Sequence, residues 1–347
     1  MVLKSTPETA QSSTQPVLLW LGLLCTLIIL MVVVGGITRL TESGLSIVKW
    51  NPISGAIPPL TPESWNKVFT EYQQSPEYRL INRSMNLEDF KSIFFWEWFH
   101  RLLGRLIGVV YLIPFLTFWL KGYLSRRQTK MLALGFLLGG LQGVVGWFMV
   151  MSGLVDNPRV SHYRLALHLL MALGILSYLF WQLLDFWKGR ANGKLIHFRW
   201  ALPVFSALLA LQLTYGAFVA KLKAGMIHNT YPLMSGSLFP DGVWTDSMGW
   251  MNLFENPVTI QWIHRHIAVG LFVFAWIIGF KIKQRHPVLG LMLITTVSLQ
   301  FFLGVATLLT HVQIALAAFH QVFACSLVLV TTALFFFLTK QKHNTAI

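Results

Sequence analysis

Eight apolar runs, each about as long as the twenty residues that an α-helix needs to cross a bilayer, constrain this chain more than any other feature. They fall at roughly 17–37, 93–119, 129–151, 162–186, 199–221, 259–280, 287–310 and 313–338. Backbone amides in hydrocarbon find no water, so spans must be helices or a closed barrel. Continuous runs of this length, without period-two alternation, select helices. The expected fold is therefore an all-α polytopic membrane protein with eight transmembrane helices. Composition agrees, with 55% hydrophobic and only 12% charged residues, too apolar for a water-soluble globule.

The formal charge of +14 would suggest nucleic acid in a soluble protein, but the basic residues sit in short loops between the spans. Lys121, Arg126, Arg127 and Lys130 form one cluster. Lys188, Arg190, Lys194 and Arg199 form a second, Lys281, Lys283 and Arg285 a third, and Lys340 and Lys342 follow the last span. Read by the positive-inside rule, they place both termini in the cytoplasm and the long segments 40–92 and 222–258 on the outer side, and they exclude a nucleic-acid partner. Residues 1–16, rich in Ser, Thr and Gln, read as a disordered cytoplasmic tail. Asn51-Pro52 and Ile57-Pro58-Pro59-Leu60 mark turns in the first outer segment, followed by a short amphipathic stretch. The two cysteines, Cys25 and Cys325, lie inside apolar runs, which leaves neither a disulfide framework nor a thiolate metal site.

An internal repeat divides the chain into an N-terminal four-helix half, 17–190, and a C-terminal one, 191–340. Trp96-Glu97-Trp98-Phe99-His100-Arg101 opens the second span, and Gln261-Trp262-Ile263-His264-Arg265 opens the sixth. Gly35 and Gly44 match Gly216 and Gly225, and Leu141-Gln142-Gly143-Val144-Val145-Gly146 resembles Leu299-Gln300-Phe301-Phe302-Leu303-Gly304. A parallel duplication of this kind predicts two four-helix bundles related by a pseudo-twofold axis along the membrane normal.

Four of the eleven histidines, His100, His168, His264 and His320, begin the second, fourth, sixth and eighth spans. All four then lie at similar depth on the outer side, two in each half. Each is followed four residues later by Gly104, Ala172, Ala268 or Ala324, on the same helical face, which leaves room for a flat, bulky group held by the imidazole. Haem fits that description, with Arg101 and Arg265 placed to meet propionates at the aqueous rim. Zinc is the rival metal, though a zinc site gathers its ligands more tightly. The remaining histidines read as structural or interfacial, and Gly139, Gly140, Gly143 and Gly146 as allowing close helix packing. Glu97 precedes His100 by one turn, and its repeat counterpart is Gln261. An ionisable group at a span edge is costly enough to suggest function, and the bland alternative is a salt bridge to Arg101 or Arg105.

Together, the stretch from Gly35 to Ser46, Trp50-Asn51-Pro52 through Leu60, Glu97-x-x-His100-Arg101, Asn229-Thr230-Tyr231-Pro232-Leu233-Met234, and His264-Arg265 with His320-Gln321 resemble the heme A synthase family, in its eight-helix form. The resemblance implies oxidation of the ring methyl of heme O to a formyl group, giving heme A for cytochrome c oxidase. It implies that His264 and His320 bind a resident heme b, with Arg265 beside it. His100 and His168, with Arg101, then receive the heme O substrate, and Glu97 is the catalytic residue. It also implies a bacterial inner-membrane setting, contact with heme O synthase and cytochrome oxidase assembly factors, and leaves a homo-oligomer open. Some relatives carry an outer-loop cysteine pair that this chain lacks. Two other classes remain at the level of sequence: a diheme b-type cytochrome that only passes electrons, and a haem transporter.

Overall fold

A computed structural model describes residues 7–51, 53–154, 158, 160–188 and 200–338, with side chains from Gln15 onward. The expected half boundary at 190/191, His197, His343 and the basic residues Arg190, Lys194, Arg199, Lys340 and Lys342 lie outside the described residues. Apart from an isolated bridge between Met234 and Ser237, the regular structure described is helical. Eight of the helices are long and apolar enough to cross a membrane: α1 (Pro7–Leu40), α4 (Leu87–Leu120), α5 (Arg126–Met151), α6 (His162–Lys188), α7 (Ala201–Lys221), α9 (Pro257–Lys283), α10 (Pro287–Leu309) and α11 (Ile314–Leu338). Three short helices lie between them, α2 (Pro62–Gln73), α3 (Pro76–Leu80) and α8 (Asn252–Glu255).

The helices start where the sequence supplies acceptors for orphan amides. Asn86 caps α4 in a reciprocal box with Asp89, Ser125 does so for α5 with Gln128, and Asn256 caps α9 ahead of Pro257. The eight expected spans coincide with helices, and α2 is the short amphipathic segment expected after the Pro-rich turn. Described backbone starts at Pro7, within the stretch 1–16 read as a disordered tail, and is helical from there through Pro16; residues 1–6 lie outside the described residues.

Packing follows the same circuit in each set of four. In the first, α1 packs against α4 and α6, and α5 against α4 and α6; in the second, α7 packs against α9 and α11, and α10 against α9 and α11. Across the middle, α6 meets α7 and α11, and α1 meets α11. The first core is built around Trp20, Leu21, Leu24, Leu132, Leu176 and Leu179, and the second around Phe205, Ala275, Leu293 and Leu334. Glu42 follows α1 and Lys223 follows α7, at matching positions, both with left-handed backbone (φ 54° and 53°), and the two form an ion pair with each other.

Segment 41–86 folds over the end of the bundle at which α4 begins. Its own small core stacks Tyr72 on Phe90 (centroids 5.0 Å apart), with Phe94 beside it. Glu77 is buried in the same core, where it accepts the Tyr72 hydroxyl proton at 3.1 Å, and Asn82 donates to the Tyr72 oxygen at 2.8 Å. Burial pushes the Glu77 carboxyl up to about 7 from 4.5. A carboxyl raised in the fold stabilises it fully below the unfolded value, and that contribution is lost as pH rises through the folded value. The cap should therefore resist limited proteolysis better at about pH 5 than at about pH 8.5, and Glu77→Gln should abolish the difference. Equal cleavage of the native cap at both pH values would contradict this.

Candidate functional site

The four helix-opening histidines all stand at that same end, and each leans against a glycine of the neighbouring helix. A methyl group added at Gly35 of α1 would lie 2.9 Å from His100 Cε1, and one at Gly146 of α5 would lie 2.9 Å from His168 Cε1. In the second set, Gly216 of α7 faces His264 Cε1 at 3.3 Å, and Gly304 of α10 faces His320 Cε1 at 2.8 Å. Real Cβ atoms do not sit stably at the shorter of these distances, so the glycines are what allow the rings to reach between helices. His100 and His168 lie on α4 and α6 of the first set, and His264 and His320 on α9 and α11 of the second. The histidines are thus grouped two and two, within the sets of four helices.

Glutamine amides attend three of the rings. Gln142 Nε2 lies 3.1 Å from His168 Nδ1 and donates to the His168 carbonyl at 2.9 Å, while Gln300 Nε2 lies 3.3 Å from His320 Nε2, and Gln212 Nε2 lies 3.3 Å from His264 Nε2. Gln142 and Gln300 are repeat equivalents. The position matching Gln212 holds Met31, whose methyl sits 3.2 Å from where a Cβ on Gly104 would be. Nδ1 of His100 and Nδ1 of His264 are buried without a hydrogen-bond partner.

One turn before each leading histidine, the helix grips the segment folded over it. Glu97 is 3% exposed. Its Oε2 accepts the Ser46 hydroxyl at 2.7 Å and the Ile47 amide at 2.8 Å, and its Oε1 accepts Arg101 Nη2 at 2.6 Å. Arg101 also donates to the Ile47 carbonyl at 3.2 Å. In the second set the roles invert: Gln261 Nε2 donates to the His228 carbonyl at 2.9 Å, and Arg265 donates to the carbonyls of His228 and Thr230. Ile47 and His228 occupy corresponding places. The first junction therefore holds a balanced ion pair, and the second holds a cation bonded to carbonyls.

Of the residues singled out by sequence, Glu97, His100, Arg101 and His168 meet in the first set, and His264, Arg265 and His320 in the second. The salt bridge considered for Glu97 exists, to Arg101. His162 is buried between Tyr163, Phe218 and Glu255, a packed residue as expected. Of the α5 glycines expected to allow close helix packing, Gly146 does so by seating the His168 ring of α6, whereas Gly139, Gly140 and Gly143 have nothing within 4 Å of a would-be Cβ and do not. The glycine seats and the glutamines went unassigned in the sequence, although the matches of Gly35 to Gly216 and of Leu141-Gln142 to Leu299-Gln300 carried the signal. Among the described residues no group of three or more His, Cys, Asp or Glu side chains could hold a metal ion.

Removing the Glu97 carboxylate would leave the Ile47 amide and the Arg101 guanidinium without their buried acceptor, a loss on the order of 3 kcal/mol. Glu97→Ala should accordingly lower the thermal midpoint of the purified protein more than Gln261→Ala, which removes one neutral bond. A smaller or equal shift for Glu97→Ala would show that the first junction is not the tighter clamp.

The sequence was compared with known proteins. It matches the COX15-CtaA family, described as cytochrome oxidase assembly protein, over residues 18–332. Similar proteins named heme A synthase include that of Rhodospirillum centenum, 46% identical over 91% of this chain and 86% of the relative, and that of Nitrosospira multiformis, 44% identical over 92% of each. The heme A synthase of Wolbachia pipientis wMel is 40% identical over 96% of this chain and 95% of the relative. On the extent of these matches, the chain belongs to the COX15-CtaA family.

Proposed function

We propose that this protein is a heme A synthase, a membrane oxidoreductase that converts the ring methyl of heme O to a formyl group. One observation carries the reading: two pairs of half-buried imidazoles are built alike, each ring seated on a glycine, while only the first pair has a carboxylate one turn away. Like pairs suit two similar flat ligands, and the single carboxylate suits chemistry at one of them.

The residues fit haem. His264 and His320, and likewise His100 and His168, would each hold a haem through an imidazole nitrogen. The unpartnered Nδ1 atoms of His100 and His264 show rings not committed to the protein on both sides. In this reading His264 and His320 hold a resident heme b, and His100 and His168 receive the heme O substrate. Arg265, bonded to carbonyls and with its Nε buried and unpartnered, keeps its charge for a propionate; Arg101, paired with Glu97, stands beside the substrate. When bound, the resident haem supplies one-electron redox chemistry.

The chain's own residues supply position and proton transfer. Glutamine amides at His168, His264 and His320 fix ring orientation and tautomer. Methyl oxidation to the aldehyde level passes through an alcohol and a geminal diol, and each oxidation releases protons. In this reading Glu97 takes one, or steadies positive charge developing at the reacting carbon. A second reading of Glu97 is favoured by its three donors: a positioning carboxylate that holds Ser46, Ile47 and Arg101 over the substrate.

The matching helix circuits and the mutual Glu42–Lys223 pair support a pseudo-twofold relation between two four-helix halves, 17–190 and 191–340. The alternation of basic loops supports cytoplasmic termini, with the histidines toward the outer side of a bacterial inner membrane. Heme O synthase and cytochrome oxidase assembly factors are the natural partners for such an activity.

His264→Ala or His320→Ala should abolish the resident b-type spectrum of the purified protein, and a full low-spin bis-imidazole signal in both variants would overturn the assignment of halves. Replacing Glu97 with Gln copies the residue at the second junction. If the carboxylate acts on the reacting methyl, Glu97→Gln should retain haem at both sites but accumulate heme O or its hydroxymethyl intermediate. A normal heme A yield per folded protein would instead assign Glu97 to positioning alone.

A further inference from the structure

The two sets of helices differ most at the seam beside the second histidine of each pair. In the second set, Phe272 of α9 packs against Phe301 of α10, with ring centroids 4.8 Å apart and the planes tilted by 33°, and Phe302 and Trp276 pack on Phe272 at 6.3 and 5.8 Å. Tyr231, from the segment folded over the bundle end, adds its ring edge-on to Phe301 at 6.2 Å. Phe272 and Phe301 plug the space between α9 and α10, one turn and more inward of the seat that Gly304 provides for His320, while Phe302 flanks them on the exposed side. In the first set the repeat equivalents of Phe272 and Phe301 are Gly108 and Gly143. Neither has an atom within 4 Å of a would-be Cβ. Trp50, the counterpart of Tyr231, does not reach inward; it packs against Trp147 of α5 at 6.0 Å, one residue beyond the Gly146 seat and so nearer the bundle end. The helices follow suit: α9 and α10 pack along their length, whereas α4 and α5 touch far less.

We infer that this aromatic plug decides which haem each site accepts: the open α4/α5 seam takes a tetrapyrrole bearing a long hydrocarbon chain, and the plugged α9/α10 seam admits only a tailless one. The inference rests on the haem reading of the two histidine pairs. Its chemistry is simple. A haem turned with its propionates toward Arg101 or Arg265, at the loop-covered end, points its opposite edge inward, and an isoprenoid chain is carried at that edge. In the first set the chain meets Gly108 and Gly143 and passes between the helices into lipid, where an apolar chain costs nothing to place. The same chain in the second set would collide with the Phe272–Phe301 pair, and packed interiors do not yield to added volume without strain.

The test uses the purified full-length protein titrated separately with heme O and with protohaem, bound haem being extracted and identified by mass. Gly143→Phe, and independently Gly108→Phe, should weaken heme O binding more than about tenfold while changing protohaem binding at the same site less than about twofold. The mirror variant, Phe272→Gly with Phe301→Gly, should let the second site take up heme O. Unchanged heme O affinity in both glycine variants, or equal loss of heme O and protohaem, overturns the inference, as does a mirror variant that still refuses heme O. Failure of the functional reading is separable: it appears as a wild-type protein that takes no heme O at all, in which case the mirror variant alone decides the role of the plug.

Discussion

Each candidate ligand in this protein is an imidazole held in a helix interface by the absence of a side chain opposite it. The contact of His100 with Gly35, His168 with Gly146, His264 with Gly216 and His320 with Gly304 joins α1 to α4, α5 to α6, α7 to α9 and α10 to α11. In lipid, helix association gains little from burying apolar surface, because the tails are as apolar as leucine, and close approach at small residues takes its place. The same glycines therefore serve two ends. They bring the helices together, and they leave the ring a slot whose walls fix its orientation. A larger residue at any of them would part the helices and turn the ring in one stroke, so the packing of the bundle and the geometry of the site cannot be separated.

Divergence between the two sets is concentrated in polar and aromatic details laid on a shared frame. The clamp over the leading histidine persists through the same backbone position, Ile47 or His228, but the first uses a carboxylate with an arginine and the second an amide with an arginine. The amide that attends His264 from Gln212 is replaced near His100 by Met31. Such changes leave backbone paths intact while altering charge and hydrogen bonding at one ligand of each pair. A tightly held ligand and one that is reacted upon and then released call for unequal surroundings, and the frame allows the inequality because its own stability lies deeper, in Leu21, Leu24, Leu176 and Leu179 on one side and Ala275, Leu293 and Leu334 on the other.

Much of this was legible in the sequence, for physical reasons. Spans are read from length and apolarity because lipid leaves the backbone no alternative to hydrogen bonding within its own helix. The histidines were legible because four of them open alternate spans in register with a repeat. The glycine seats were harder. A glycine in a membrane helix has several uses, and only the partner across the interface distinguishes Gly146, which seats a ring, from Gly143, which faces open space. Glu97 shows the same limit: spacing places it on the face of His100, yet its donors Ser46 and Ile47 come from a segment fifty residues away whose path no periodicity fixes. The aromatic plug was present in the quoted repeat, as Gly143-Val144 against Phe301-Phe302, but its meaning needed Phe272 and Tyr231 beside it.

The two histidine pairs are also joined by a short chain of neighbours. Gln321 follows His320 on α11, and its side-chain amide packs so closely on Gly36 of α1 that any side chain there would overlap it. Gly36 in turn follows Gly35, the seat of His100. A path of two covalent steps and two van der Waals contacts thus runs from His320 through Gln321 and Gly36 to Gly35 and His100, crossing from one set of helices to the other. Its repeat counterpart is apolar, Ala217 in place of Gly36 and Leu169 in place of Gln321, both within the cluster at the α6, α7 and α9 junction. The crossing between the sets is therefore polar on one side and apolar on the other. The residue after His320 thus sets an amide against the helix that seats His100, whereas the residue after His168, Leu169, meets apolar packing.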